Sequence, residues 1–446
     1  MSFPIHDGTP IRFPGPVPAQ ADVVVIGAGV VGVMTAWFLA EKGLRVVLCE
    51  KGRVAGEQSS RNWGWVRQQG RDAGELPIMV EALRIWKSLA QELGEGLGFR
   101  QTGVMYLAKT EAEMAGFEAW LPHARDNALD TRMLTAAEAL SMVQGAAAPW
   151  KGAIWTASDA KAEPWVAVPM LAAAAARRGV VVVEQCAVRA LDLAGGKIAG
   201  VVTEQGRIAA ERVVVAAGAW SRLFLGAHGV KIPQLAVLAS VAETGPLPQV
   251  FDGAACDDDF ALRRRADGGY TLAPGAEHDF FIGRDAFASF GVYLPVLKKD
   301  FRSTHFRPAA PAQYPDAWLT PRRWAADQVS PFERLRILNP APNRATLGRV
   351  QHSFAKAFPG IGLPPLRTAW AGMIDTMPDV VPVVDHAPIP GLTIATGMSG
   401  HGFGIGPGMG RVVASLVAGE DPGHDLSRFR LSRFSDGTKI APGPSL

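Results

Sequence analysis

At 446 residues the chain is too long for one compact core, and two domains is the natural division. Its 48% hydrophobic and 20% charged residues exclude a disordered chain, and a formal charge of +3 without clustered Lys and Arg excludes nucleic acid as the main partner. Three scattered cysteines, Cys49, Cys186 and Cys256, read as reduced thiols of a cytoplasmic protein, and no His/Cys cluster suggests a metal site.

The first twenty residues are rich in proline and lack a continuous apolar run, so 1–20 is expected to be a leader packed on the surface. Residues 23–40 form an uncharged run that imitates a membrane span. Its glycine spacing and flanking charges favour a buried strand, turn and helix instead, with no integral membrane segment. Ala21 to Ile26 suits a strand covered on both faces, and Val33 to Lys42 has helical spacing before Gly43 ends it. Between them Gly27, Gly29 and Gly32 permit a tight turn, close approach to a pyrophosphate, and packing of helix on strand. Val30 and Val31 open that helix, where free N–H groups favour phosphate. A second strand, Arg45 to Leu48, leads to Glu50, placed to bond ribose hydroxyls, and to Lys51. This βαβ unit implies a dinucleotide and leaves NAD or FAD open.

Farther along, EKGRVAGEQSSRNWG carries Ser59, Ser60, Arg61 and Asn62 in place of the next helix and strand of a simple NAD domain. Phe99 to Ala108 and Phe260 to Ala273 alternate like antiparallel strands, the second turning at ADGG, and a short helix is expected within Ala325 to Leu338. Gly179 to Val188 reads as a strand after an alanine-rich helix, and RVVVAAGAWS, 212–221, as a strand and turn with small residues Ala217 and Gly218 before Trp220. The C-terminal stretches are WAGMIDTMPDVVPVVD, containing Gly372, and TGMSGHGFGIGPGMGRVVASLV, containing Gly400, His401, Gly402, Phe403 and Gly404.

These segments together resemble the FAD-dependent D-amino-acid oxidase superfamily, which includes glycine oxidase, sarcosine oxidases and bacterial L-amino-acid deaminases. They span nearly the whole chain, and SGHGF is the most specific of them. The resemblance implies an α/β fold, α+β overall: a discontinuous Rossmann-like FAD-binding domain (21–90, 151–232, 346–432) and a smaller substrate domain with a largely antiparallel sheet (91–150, 233–345). Residues 433–446 would be a surface tail. It further implies that the residues singled out from Gly27 to Asn62, the backbone at Ala187 and Val188, and those at 217–220, 372 and 400–404 contact FAD. A helix N-terminus near Pro407 to Gly410 would face the flavin N1 and C2 carbonyl, where charge gathers on reduction. His401 would bond the flavin or steer substrate, or be held by structural hydrogen bonds. Monomeric sarcosine oxidases attach flavin through a cysteine where this chain has Gly372 and Met373, so non-covalent FAD is expected.

The function so implied is oxidation of the CH–NH bond of an amino acid by hydride transfer to flavin N5, with oxygen or a quinone or carrier protein as acceptor. An N-methyl or secondary-amine oxidase is the alternative, as is a flavin subunit of a multiprotein dehydrogenase; a homo-oligomer is also open. Arg67 stands about where sarcosine oxidases bind carboxylate. Their lysine after SGHGF is here Gly404, which argues against sarcosine itself. Arg264, turned from its neighbours by strand alternation, is a second candidate, and Arg322 and Arg323 have similar standing. Trp63, Trp65, Trp324 and Trp370 are candidates for an apolar wall.

Overall fold

The computed structural model describes residues 4–441 and 443; residues 1–3 of the expected leader, and 442 and 444–446 of the expected tail, lie outside these. The β-branched run Val23–Ile26 is buried at every position and occupies the middle of a six-stranded sheet. From one edge to the other the strands are 383–386, 392–396, 212–215, 23–26, 46–49 and 181–183. All neighbours are parallel except the first pair. Parallel sheets must be covered on both faces. The helix Val30–Glu41 does this on one side, packed between the helices Pro164–Arg177 and Gly402–Ala418. Residues 23–40 are therefore strand, turn and buried helix, and no helix among the described residues is long and apolar enough to cross a membrane.

A ten-stranded sheet stands against this layer. It is antiparallel apart from the pairs 254–256 with 104–108 and 278–281 with 304–307. The ADGG turn joins Ala261–Arg264 to Tyr270–Ala273, and Pro331–Arg334 is a one-turn helix entered through a Ser330/Glu333 capping box.

Two strands expected with the nucleotide layer belong to the larger sheet. Gly152–Thr156 pairs with Val104–Ala108, and Leu366–Thr376 runs along the full length of Leu235–Thr244. An apolar strand covered on both faces has the same pattern in either sheet, so its pattern identifies a strand but not its neighbours. The described part of the leader is mostly exposed and is anchored at two points: Ile5 is buried, its carbonyl accepting from Arg61 Nη2 at 2.9 Å, and Arg53 Nε donates to the Thr9 carbonyl at 2.6 Å.

The last long helix, Gly402–Ala418, begins ahead of the expected Pro407 to Gly410. Glycine there serves packing rather than a turn. A Cβ at Gly408 would stand 2.6 Å from the Ile78 carbonyl oxygen, and one at Gly410 2.8 Å from the Thr35 nitrogen. The helix thus lies against Val30–Glu41 and Leu76–Leu93 at backbone distance, which brings its N-terminus beside the nucleotide turn.

Candidate active site

A cavity of about 770 Å³ opens where the C-terminal ends of strands 23–26 and 212–215 face the ten-stranded sheet. This is the crevice in which open α/β sheets bind ligands. At one end lie Gly27 and Gly29. Gly27 has φ of +103°, and a Cβ there would meet the Ala216 carbonyl oxygen at 2.6 Å, so only glycine makes this turn. The helix Val30–Glu41 follows with Gly29 as N-cap, no side-chain cap and no acidic residue in its first turn. Its free dipole end suits a pyrophosphate.

Glu50 lines the same end and accepts from the Ala28 N–H at 2.9 Å and the Gly52 N–H at 2.7 Å. Burial pushes its carboxyl up to about 7, against the pull of Lys51 and these two donors. Ser59 Oγ accepts from the Val30 N–H at 2.9 Å, which ties the EQSSRN loop to the helix start. Glu57, which no motif marks, organises the wall next to it. Its carboxylate accepts from Lys51 Nζ at 2.7 Å, Trp220 Nε1 at 3.0 Å and the Leu338 N–H at 3.0 Å. The donor set fits FAD: two helix N-termini with no acidic residue in their first turns, at Gly29 and at His401, open on one cavity, and the Glu50 carboxylate lines the end beside the first.

Toward the middle the cavity is lined by Gly372, Met398 and the run Gly400 to Gly404. His401 is the N-cap of the helix Gly402–Ala418 and is 4% exposed. Burial brings its imidazole down to about 4, despite the attraction of Glu75, so the ring is neutral at ordinary pH. Nδ1 lies 3.2 Å from Glu75 Oε2 and carries the proton, which leaves Nε2 as an acceptor, buried and without a partner among the described residues. At the far end stand Trp63, Trp65, Tyr106, Phe117 and Trp120, with Arg67 among them. The Arg67 guanidinium lies 5.7 Å from the centroid of Tyr106, and its one hydrogen bond among the described residues is from Nη1 to the Gln69 carbonyl. No carboxylate of the described residues is paired with it.

A family model for FAD dependent oxidoreductases, DAO, matches residues 22–416. The chain belongs to the DAO family. Its fold superposes with a TM-score of 0.90 on the L-amino acid deaminase from Proteus myxofaciens solved with anthranilate, at 30% identity over 96% of each chain. The L-amino acid deaminase from Proteus vulgaris gives 0.89 at 31% identity, over 95% of this chain and all of the other. Among curated proteins, sarcosine oxidase subunit beta of Rhodobacter capsulatus is 23% identical over 98% of this chain and 94% of its own length. The protein is an FAD-dependent oxidoreductase.

In this DAO-family chain most of the expected cofactor residues reach the cavity, among them Val30, Val31, Lys51, Asn62, Val188, Ala217 and Gly218. Arg61 reaches it too, but its guanidinium is spent on Asn339 Oδ1 at 2.7 Å and on carbonyls of Gly56, Ala371 and Ile5. Four expected contacts lie outside the lining. Gly32 is pressed against the Gly27 carbonyl, and Ser60 is buried against that of Glu57. Ala187 uses its N–H on Glu204 Oε1 at 2.7 Å and its carbonyl on the Glu204 N–H. Arg264 donates to the Leu247 carbonyl at 2.9 Å and lies over Tyr270, away from the cavity. Alternation does separate the three arginines, but Arg263 is the inward one, and it is consumed by Glu163. Arg322 is paired with Asp285, while Trp324 and Trp370 donate to the carbonyls of Arg189 and Arg61 in the packing. Arg71, four residues after Arg67, lines the cavity, and Glu75, four further on, is buried behind it against Arg71 and His401; the sequence announces neither. The one signal is the return of charge every four residues in VRQQGRDAGE.

Proposed function

We propose that this oxidoreductase oxidises the CH–NH bond of an amino acid to an imine, which water hydrolyses to a keto acid and ammonia, the electrons passing to oxygen, a quinone or a carrier protein. The observation that carries the reading is Arg67, a cation with no acidic partner among the described residues, set in an aromatic chamber that continues from the cofactor crevice. A planar guanidinium recognises a carboxylate through paired hydrogen bonds. FAD held non-covalently along the crevice supplies a two-electron acceptor there. The resemblance to sarcosine oxidases supports non-covalent binding, since it sets Gly372 and Met373 where those proteins carry a linking cysteine.

The chain's own residues supply placement. Arg67 fixes the carboxylate, Trp63, Trp65 and Phe117 exclude water, and a desolvated amine is favoured in its neutral form, with its lone pair free to form the imine. Neutral His401 offers Nε2 to an N–H of flavin or substrate. Gly404 offers no second clamp, and a Cβ there would be tight against the Trp65 carbonyl oxygen at 3.2 Å and Arg71 Nη2 at 3.3 Å. The second reading, an N-methyl or secondary amine oxidised by a flavin subunit of a larger assembly, is favoured by the likeness to sarcosine oxidase subunit beta over nearly the whole chain. A cytoplasmic location accords with the unpaired thiols of Cys49, Cys186 and Cys256.

Mixing the yellow holoenzyme without oxygen with L-, D- and N-methyl amino acids tests this. Bleaching of the flavin by primary amino acids is expected; bleaching by N-methyl amino acids alone would favour the second reading, and none by any would remove both.

A further inference from the structure

The segment that enters the substrate end alternates. Trp65, Arg67 and Gln69 line the cavity, whereas Val66 is packed in the core and Gln68 turns to Ser158 and Asp159. The short strand Trp65–Val66, paired with Ala160–Lys161, starts this period of two. Three side chains that carry N–H groups thus stand along one wall, with the cation in the middle. The charged groups around them are two and two, Arg67 and Arg71 with Glu75 and Asp159, so charge is balanced there. Hydrogen bonding is not. Trp65 Nε1 and Gln69 Nε2 are buried donors without an acceptor among the described residues.

Of these two donors, Gln69 is the one built into place beside Arg67. It is fully buried, and the larger sheet holds its amide through a relay of hydroxyls. Thr131 and Thr156 face each other across neighbouring strands with their Oγ1 atoms 2.7 Å apart, and Thr156 Oγ1 donates to Gln69 Oε1 at 2.9 Å. Each hydroxyl has one proton, so Thr131 gives its own to Thr156 and Thr156 passes its own to the amide oxygen. That leaves the NH2 end as the unpaired group of a residue lining the cavity. The main chain of Gln69 is fixed as well, its N–H donating to Asp159 Oδ2 at 3.2 Å and its carbonyl accepting from Arg67 Nη1. Guanidinium and amide are therefore tied together. A buried donor held so tightly and left unpaired is explained by an acceptor that arrives with the ligand.

We propose that Gln69 is the second carboxylate clamp, its Nε2 donating to a carboxylate oxygen of the substrate that Arg67 grips. The proposal rests on the amino-acid reading of the cavity and supplies, from two residues along the same segment, the group that Gly404 lacks. Arg67 answers the charge of the carboxylate. Gln69 adds a neutral donor from a fixed direction, which stops the carboxylate turning on the guanidinium and so sets the direction of the Cα–H bond, without disturbing the balance of charges.

Titrations of the holoenzyme with benzoate and with nitrobenzene, followed by flavin absorbance, test this. The two ligands share a shape, and only benzoate carries the anion. Arg67→Met is expected to lose most benzoate binding, which marks the titration as reporting this site. Gln69→Met, of similar length and without a donor, should weaken benzoate by about tenfold, the worth of one hydrogen bond to a charged group, and leave nitrobenzene unchanged. Thr156 lies outside the cavity lining. Thr156→Val, which frees the amide, should weaken benzoate by a smaller factor, and Thr156→Ser, which restores the hydroxyl, should bind it as the native protein does. Native benzoate affinity in Gln69→Met would overturn the proposal, as would an equal fall for nitrobenzene, the sign of a misshapen chamber. Loss of benzoate in Trp65→Phe with native affinity in Gln69→Met would give the clamp to the indole and overturn it too. Should Gln69→Met hold no flavin, native benzoate affinity in Thr156→Val overturns it equally. Native affinity in Arg67→Met would remove the amino-acid reading and this proposal with it; a loss there beside an unchanged Gln69→Met removes this proposal alone.

Discussion

Glu50 shows how one residue can be placed for a ligand at the expense of the empty protein. Its side chain turns back on its own loop, where the Ala28 and Gly52 N–H groups hold it beside the nucleotide turn, yet burial raises its carboxyl from 4.5 to about 7. The folded apoprotein therefore keeps a proton on Glu50 that the unfolded chain releases near 4.5. Stability from this group is fully present below 4.5 and is lost as pH rises through about 7. Ribose hydroxyls donating to the carboxylate would favour the anion and remove that slope. Glu50→Gln is accordingly expected to flatten the fall in apoprotein melting temperature across this range while weakening retention of FAD. Parallel melting curves for the two proteins across pH, or unchanged flavin retention, would count against this role for Glu50.

Among the elements, the helix Gly402–Ala418 joins fold to site through its glycines. Gly410→Ala would drive a Cβ to 2.6 Å from the Met34 carbonyl carbon, and backbone on both sides prevents easy relief. A loss of about 1–3 kcal/mol in urea unfolding is expected, with weaker flavin binding because the His401 end shifts. Gly348 provides the contrast: it lies inside Arg344–Ala357 with nothing within 4 Å of an added Cβ. Gly348→Ala should stabilise by roughly 0.5–1 kcal/mol through helix propensity alone. Equal effects of the two substitutions would contradict the packing account. The same glycines explain what was legible in the chain. Gly27, Gly29 and Gly32 announce their turn because strand, turn and helix follow one another directly. The glycines from 404 to 410 have similar spacing but answer to Trp65, Val30, Ile78 and Met34, which are remote in sequence. Local pattern cannot distinguish a glycine needed for a turn from one needed for close packing. Arg71 and Glu75 are hidden for the same reason: burial and an unpaired N–H exist only once the helix N-terminus has been packed over them.

Across the whole molecule, the cavity depends on keeping two sheets in fixed relation, and a buried ion pair joins them. Glu163 is the N-cap of Pro164–Arg177, which packs on the nucleotide helix; Arg263 belongs to the strand Ala261–Arg264 of the larger sheet. Their groups meet in two parallel bonds, 2.9 and 3.0 Å, with Arg263 1% exposed. Burial opposes ionisation of Glu163, but the guanidinium holds its carboxyl below the ordinary value. Arg263 Nε also donates to the carbonyl of Trp63, whose side chain lines the substrate end, so the latch and the aromatic chamber are continuous. Arg263→Met leaves Glu163 buried without its main partner and is expected to cost about 3–5 kcal/mol. Glu163→Gln added to it removes the stranded charge while keeping a group able to accept from the Ala266 N–H, which now bonds Glu163 at 2.9 Å. The double variant should therefore be more stable than Arg263→Met alone, and its loss should fall short of the sum of the two single losses by about 1–3 kcal/mol in a urea cycle. Simple addition of the two single losses would mean that the pair does not act as a latch. Recovery of stability without recovery of substrate affinity would separate the two duties of Arg263, since only the arginine can hold the Trp63 carbonyl.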